Sequence, residues 1–395
     1  MSEWKEYKFS EFVQVNPKVT FDQRDNIPFV EMKDLEPSNK YCSYSSFRNI
    51  GGGARFENGD TLFARITPCL ENGKISQVRN LPGDKGLGST EFHVLRGKTK
   101  ISNTNFIYYL SRWSDVRDFA EINLHGTSGR QRFPAEAFNE LILLLPPLPE
   151  QERIAEVLSS LDDKIDLLHR NNKTLEQLAE TLFRQWFVEE AEDSWEEIKL
   201  GGYVKLVSGY SYRSVDLKSS TKALVTLKNF DRTGGFRHDG FKEYTGKYKE
   251  DQVVVSGDLI VAHTDITQEA EVLGNPAIVI STDKYETLII STDLVKVVPT
   301  SYLSKVYLYF LMKTDEFKHY CLGSSNGTTV LHLSKKALPE YDFKLPPAEL
   351  VERFTVVAEP LLEKININQK HIQQLETLRD TLLPKLMSGV VRVEK

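Results

Sequence analysis

The sequence predicts an α+β protein. Two similar mixed α/β domains are separated by two long helices that pair antiparallel as a coiled coil, and the whole is organised as a pseudo-two-fold internal repeat. Three observations carry this. A segment near residue 145 recurs near residue 345, each copy opens a long heptad stripe, and the stretch ahead of each is built from short β-rich runs broken by turn residues. A chain of 395 residues is too long for one ordinary domain. The repeat divides it into globular parts at 1–147 and 191–345, a central helix at 148–190 and a C-terminal helix at 346–395.

The repeat is read most clearly at the domain-to-helix junctions. Leu145-Pro146-Pro147-Leu148-Pro149-Glu150-Gln151-Glu152-Arg153-Ile154 aligns with Leu345-Pro346-Pro347-Ala348-Glu349-Leu350-Val351-Glu352-Arg353-Phe354. The match continues without a gap through Leu161, Lys164-Ile165, Leu175-Glu176, Leu178 and Leu182, which have identical counterparts 200 positions later. Upstream, Trp4 matches Trp195, Gly59-Asp60 matches Gly257-Asp258, Ser89-Thr90-Glu91-Phe92 matches Ser291-Thr292-Asp293-Leu294, and Gly126-Thr127 matches Gly327-Thr328. A period this long signals duplication of a whole domain plus its helix.

Each helical segment carries a 4-3 stripe. The first runs Ile154, Leu158, Leu161, Ile165, Leu168, Asn172, Leu175, Ala179, Leu182, Trp186; the second runs Phe354, Ala358, Leu361, Ile365, Asn368, Ile372, Leu375, Arg379, Leu382, Leu386. This is the a/d seam of a coiled coil, and a helix from 150 to 188 would be ~58 Å long. Pro146-Pro147 and Pro346-Pro347 end the preceding strands and fix where the helices begin. With the local two-fold at 170 and 370, Asn172 is expected opposite Asn368, a polar pair that sets register. Pro360 should bend or begin the second helix, because proline removes an intrahelical bond and crowds the preceding turn.

In the globular parts, Val253–Val255, Leu259–Ala262, Ala277–Ile280 and Leu294–Val298 read as strands. Asn105–Leu110 and Lys305–Leu311 read as an aromatic helix in each copy, with the rings in the core.

Composition narrows the function. The formal charge of −6 does not by itself predict a nucleic-acid surface, yet residues 148–190 hold 5 basic against 10 acidic residues and account for nearly all of the deficit. The N-terminal Met1–Glu6 lacks a secretory signal, which points to the cytosol, and no apolar run is long enough for a membrane span. Cys42, Cys69 and Cys321 lack metal-ligand spacing and read as buried thiols. The histidines show no paired metal-binding placement, Gly97-Lys98-Thr99 lacks the leading glycine of a phosphate loop, and Gly51-Gly52-Gly53 reads as a turn. No catalytic residue, metal or cofactor is therefore expected; the chain binds rather than catalyses.

Two domains held apart by rigid helices suit a two-part ligand such as duplex DNA, whose half-sites lie at fixed intervals. Two loops per copy are rich in groups that bond phosphates and base edges. They span 64–74 and 125–132 in the first copy, and 262–268 and 323–329 in the second. The expected DNA contacts are Arg65, Lys74, Arg130, Gln131 and Arg132 in the first domain, and His263, Thr264, Gln268, Asn326, Thr328 and Thr329 in the second. Arg65 follows a strand and has a competing reading as a core salt-bridge partner.

The junction at 145–155 and the C-terminal Leu382-Leu383-Pro384-Lys385-Leu386-Met387-Ser388-Gly389 resemble the specificity (S) subunit of type I restriction-modification enzymes, over essentially the whole chain. The resemblance implies that each globular part is a target recognition domain reading half of a bipartite, asymmetric DNA sequence. It also implies that the helices form a spacer docking two methyltransferase (M) subunits, which use S-adenosylmethionine on adenines, and that ATP-driven restriction (R) subunits join to cleave. The second junction departs from the pattern, since Ala348-Glu349-Leu350-Val351 replaces Leu148-Pro149-Glu150-Gln151, so a subunit contact made by Gln151 would be weaker in the second half. The competing reading is a non-catalytic coiled-coil scaffold whose duplicated domains bind protein, favoured by the acidic helix.

Overall fold

The computed structural model describes residues 3–21, 25–231, 235–238, 240–267, 270–280, 282, 284–327 and 330–393. Four helices organise it: α1 (Thr104–Arg112), α2 (Leu148–Arg184), α3 (Lys305–Leu311) and α4 (Ala348–Met387). The chain divides into two compact units, Met1–Arg170 with Asn368–Lys395, and Asn171–Ile367. Each unit thus takes one globular part, the near half of one long helix and the far half of the other.

In the first unit a five-stranded sheet has the order Val13–Val15, Phe92–Gly97, Thr61–Ala64, Ile75–Val78, Tyr41–Cys42. A four-stranded sheet has the order Ser46–Arg48, Ile27–Val30, Lys85–Gly88, Ala54–Glu57. The second unit repeats the plan. Val204–Ser208, Leu294–Pro299, Leu259–Ala262 and Pro276–Ile278 form one sheet, and Lys242–Glu243, Lys222–Val225, Thr287–Ile290 and Val253–Val254 form another. The strands expected at 253–255, 259–262, 277–280 and 294–298 are found with edges shifted by one or two residues.

The repeated Gly-Asp pairs explain themselves here. Gly59 (φ 92°) and Gly257 (φ 88°) occupy the left-handed region of a turn. The following aspartates accept from the backbone N–H three residues back, Glu57 to Asp60 (2.8 Å) and Val255 to Asp258 (3.1 Å). Each buried carboxylate also holds a cation: Arg96 is bidentate on Asp60 (2.6 and 2.7 Å), while Lys296 (2.8 Å) and Lys305 (2.7 Å) share Asp258.

The aromatic helices are core, as expected. Phe106, Tyr108 and Tyr109 of α1, and Tyr307, Tyr309 and Phe310 of α3, are buried. In the first unit these rings share a core with Ile154, Ala155 and Leu158 of α2 and Leu383, Leu386 and Met387 of α4. In the second they share one with Ala179, Phe183 and Phe187 and with Val351, Phe354 and Ala358. Early residues of one long helix meet late residues of the other, so within each unit the helices run antiparallel. Cys42 and Cys321 are buried, whereas Cys69 is only half-buried.

The seam departs from the strict 4-3 list in an instructive way. Asp162, Phe183, Phe187 and Leu383 are the buried residues, while Leu161, Leu182, Trp186 and Leu382 are half-buried. A straight α-helix drifts by ~20° per heptad against a 3.5-residue repeat, and toward its ends each helix packs on a domain core as well as on its partner. Asn172 and Asn368 are both buried and fall in different units.

Two expectations are corrected. α4 does not begin at Pro360, which lies inside its continuous span. Pro360 and Val356, whose carbonyl loses its intrahelical donor, are both exposed residues, while buried Phe354 and Ala358 keep the helix docked. Gln151 is not available to a partner. It is 1 % exposed, accepts from the Asn103 N–H (2.9 Å) and donates to the carbonyls of Ile101 (3.0 Å) and Pro146 (2.9 Å), tying the start of α2 to its own domain.

His93 makes the first unit sensitive to acid. Its Nε2–H donates to the Phe133 carbonyl (2.8 Å), which leaves Nδ1 to accept from the Asn16 amide (3.4 Å), and burial pushes its pKa down to about 4. The unfolded chain takes up this proton near 6.5. Stability is therefore complete above pH 6.5 and falls as pH drops toward 4, by up to about 3 kcal/mol. The melting temperature of the wild type should drop over that window by clearly more than that of His93→Gln; parallel curves would contradict the assignment.

Candidate nucleic-acid interface

In the first unit the strand Thr61–Ala64 leaves its sheet and runs into the first expected loop. Arg65 N–H donates to the Glu91 carbonyl (2.9 Å), and the Arg65 carbonyl accepts from Phe133 (2.7 Å). Thr67 N–H donates to the Gln131 carbonyl (3.0 Å), and Gln131 N–H donates back to the Thr67 hydroxyl (3.1 Å). These bonds stitch loop 64–74 to loop 125–132, so two segments sixty residues apart form one surface. The second loop is a tight hairpin closed by reciprocal bonds between His125 and Arg132 (3.0 and 2.8 Å). Gly126 (φ 125°) and Gly129 (φ 77°) supply the backbone that its tip requires.

The five expected residues do different things. Arg130 is exposed at the tip, and Gln131 is half-buried with its backbone fixed by Thr67. Arg132 is held by Glu91 through Nη2 (2.7 Å) and Nε (2.9 Å). Lys74 donates to the Met32 carbonyl (2.8 Å). Arg65 is half-buried and makes no salt bridge among the described residues.

The second unit repeats the scaffold with different side chains. His263 N–H donates to the Asp293 carbonyl (2.7 Å), and its carbonyl accepts from Leu333 (2.9 Å), as Arg65 does with Glu91 and Phe133. Thr264–Asp265 pairs with Leu331–Leu333, which pairs with Ser325–Asn326, joining the two loops in a three-stranded sheet. Asp265 locks the first loop by accepting from the N–H groups of Thr267 (2.8 Å), Val272 (2.7 Å) and Leu273 (3.2 Å). Thr264 is buried and donates to the Asp293 carboxylate (3.0 Å). Burial lowers the His263 pKa, and nearby His332 and Lys335 lower it further. Asn326 is exposed beside Gly327 (φ 121°). Gln268, Thr328 and Thr329 lie outside the described residues.

Glu91 and Asp293 are the organising residues that the sequence reading missed. Both sit in the repeated Ser-Thr-acid motif, and each holds a loop residue by its side chain and another by its backbone carbonyl. The signal was present in that repeat; what it lacked was a partner.

A family model described as the type I restriction modification DNA specificity domain matches residues 1–177. The HindI specificity subunit of Haemophilus influenzae is 24% identical over 472 residues, covering 99% of this chain and 100% of the relative. This chain is similar along its whole length to the specificity subunits of type I restriction-modification systems. The MjaIX specificity subunit of Methanocaldococcus jannaschii is 25% identical over 404 residues, covering 94% of this chain and 88% of the relative. The crystal structure of the S subunit from M. genitalium shares the fold, with a TM-score of 0.53 at 16% identity, 97% coverage of this chain and 96% of that one. The specificity subunit is the non-catalytic, sequence-choosing part of a type I restriction-modification complex, and the scaffold reading gives way to it. Among the described residues no helix is long and apolar enough to cross a membrane.

Proposed function

We propose that this specificity subunit reads a bipartite, asymmetric target in double-stranded DNA, one half-site by the domain at 1–147 and the other by the domain at 191–345. The helices at 148–190 and 346–395 act as the spacer and dock two M subunits. R subunits join the complex, which works in the cytoplasm. The observation that supports this best is the shared hydrogen-bonded scaffold beneath each loop pair combined with unlike tips, Arg130-Gln131 in one unit and Asn326 in the other. Arginine suits guanine O6 and N7, and an amide suits adenine N6 and N7, at ~1–3 kcal/mol of discrimination each. On this reading Arg130, Gln131 and Asn326 face DNA directly, with Gln268, Thr328 and Thr329 assigned beside them from sequence. Lys74, Arg132 and Thr264 hold the loops in shape, and Arg65 and His263 line the base of each pair.

The test uses the complex with its M subunits. Arg130→Ala, and separately Arg132→Ala, are compared with wild type on the cognate site and on a site with the first half scrambled. Each variant should lose discrimination at the first half-site and keep it at the second. Unchanged discrimination by both variants would exclude base reading by that loop.

A further inference from the structure

Beside the loops of the first unit lies a second feature that the reading above leaves unused. The four-stranded sheet opens on a cleft of about 560 Å³ lined by Phe29, Leu87, Arg48, Asn49, Ser89 and Thr90 among others. It is continuous with the candidate interface on two sides. Thr90 immediately precedes Glu91, which holds Arg132, and Met32 on the cleft wall accepts the Lys74 ammonium.

Arg48 is unusually well oriented for a half-exposed side chain. Its guanidinium carbon lies 3.7 Å from the centre of the Phe29 ring, and Nη2 donates to Glu31 (2.7 Å). Glu31 is itself fixed, with its backbone N–H on Asp34 (2.6 Å) and its second oxygen on Lys33 (3.1 Å). Pairing of Ile27 with Arg48 and Phe29 with Ser46 across adjacent strands explains the stack, because diagonal neighbours on one sheet face are within reach of long side chains. An arginine carries five N–H donors, so one bond to Glu31 leaves a fork of two free. A fork held in a fixed plane suits a base edge; a flexible cation is enough for a phosphate.

The glycine loop at the cleft mouth agrees. Gly53 is needed by the fold, since its φ is 138° and a Cβ would stand 2.3 Å from the Gly88 carbonyl oxygen. Gly52 is not: a Cβ there would meet nothing within 4 Å. Its missing side chain keeps the cleft open and is not demanded by packing.

We infer that Arg48, clamped by Phe29 and Glu31 in an open cleft, is a specificity-determining residue that reads a guanine of the first DNA half-site. This rests on the proposed reading of DNA by the first domain. The experiment measures methylation of a randomised site library by the complex with its M subunits, using wild type, Arg48→Ala, Arg48→Lys and Gly52→Leu. Arg48→Ala should relax the preference at one base position of the first half-site by about ten-fold or more. Arg48→Lys should fail to restore it, because the bidentate fork is lost. Gly52→Leu should weaken cognate binding by about ten-fold with an unchanged melting temperature, by filling the mouth.

A phosphate contact would instead weaken all sequences alike and reduce the salt dependence of binding by about one ion, and that outcome overturns the inference. So do variants that match wild type. The second half-site is the internal control. If wild type shows no two-part target, the functional reading itself fails; if wild type shows one and every variant keeps it, only the role of Arg48 fails.

Discussion

Replacing Arg379 by alanine is expected to destabilise the first unit by about 3–5 kcal/mol, because it strips the partner from a buried carboxylate. Arg379 and Asp162 join α4 to α2 through Nη1 and Oδ1 at 2.8 Å, with side chains 4 % and 1 % exposed. The second oxygen of Asp162 accepts from the Tyr109 hydroxyl (2.6 Å), and Arg379 also reaches the Ser38 carbonyl (3.0 Å) and Asp380 (2.9 Å). Burial works against the charge on Arg379, but Asp162 and Asp380 more than offset it and hold its pKa above the ordinary value. The alanine variant keeps the desolvated Asp162 with only the Tyr109 hydroxyl bond and the weaker pull of buried Lys40. Removing both charges is a different matter, since well-packed apolar pairs replace buried ion pairs at little cost. The repeat has already made that exchange: 200 positions away, Leu362 stands where Asp162 is, and Ala179 stands where Arg379 is, both within the core of the second unit. Urea denaturation should show a large loss for Arg379→Ala and recovery of most of it in Asp162→Leu/Arg379→Leu. A double variant as unstable as the single would show that the pair is worth more than its replacement.

Deleting one heptad from each long helix, in register, is expected to change the DNA target more than any point substitution. Seven helical residues span ~10 Å, close to three base pairs at ~3.4 Å each. If the helices set the distance between the reading domains, the gap between half-sites should shorten by about three unread bases while both half-sites keep their sequence. The cut belongs in the middle of the seam, around Ile165–Leu168 and Ile372–Leu375, which pack on each other away from the domain cores. Methylation mapping with the shortened subunit reads the answer, and an unchanged gap would remove the spacer role from the helices.

The parts legible in the sequence were those written twice or written periodically. The junctions, the Gly-Asp turns, the aromatic helices and the two long helices each left a local pattern and are found in place, while the buried seam shifts off the strict 4-3 list. The parts that were not legible depend on partners distant in the chain. Asp162 falls one position off the apolar stripe and reads as solvated until Arg379 is seen opposite it. Glu91 carries no local sign that Arg132 closes on it. Arg48 follows an exposed Phe47 in a short edge strand, and its stack on Phe29 exists only because residues 46–48 pair with 27–29. Pro360 shows a local rule outweighed as a start signal: the helix runs on through it because Phe354 and Ala358 on the same stretch are packed in the core. Among the described residues the loops that the repeat singles out are joined in pairs, yet which of their side chains are tied down is decided by hydrogen bonds that the repeat cannot reveal.

The most direct measurement is the methylation pattern that the purified complex of this subunit with its M subunits writes on a randomised duplex library, alongside the subunit alone. The account predicts adenine methylation within a single two-part, asymmetric sequence, and none from the subunit alone. An uninterrupted target, a symmetric one, or modification by the isolated chain would contradict it.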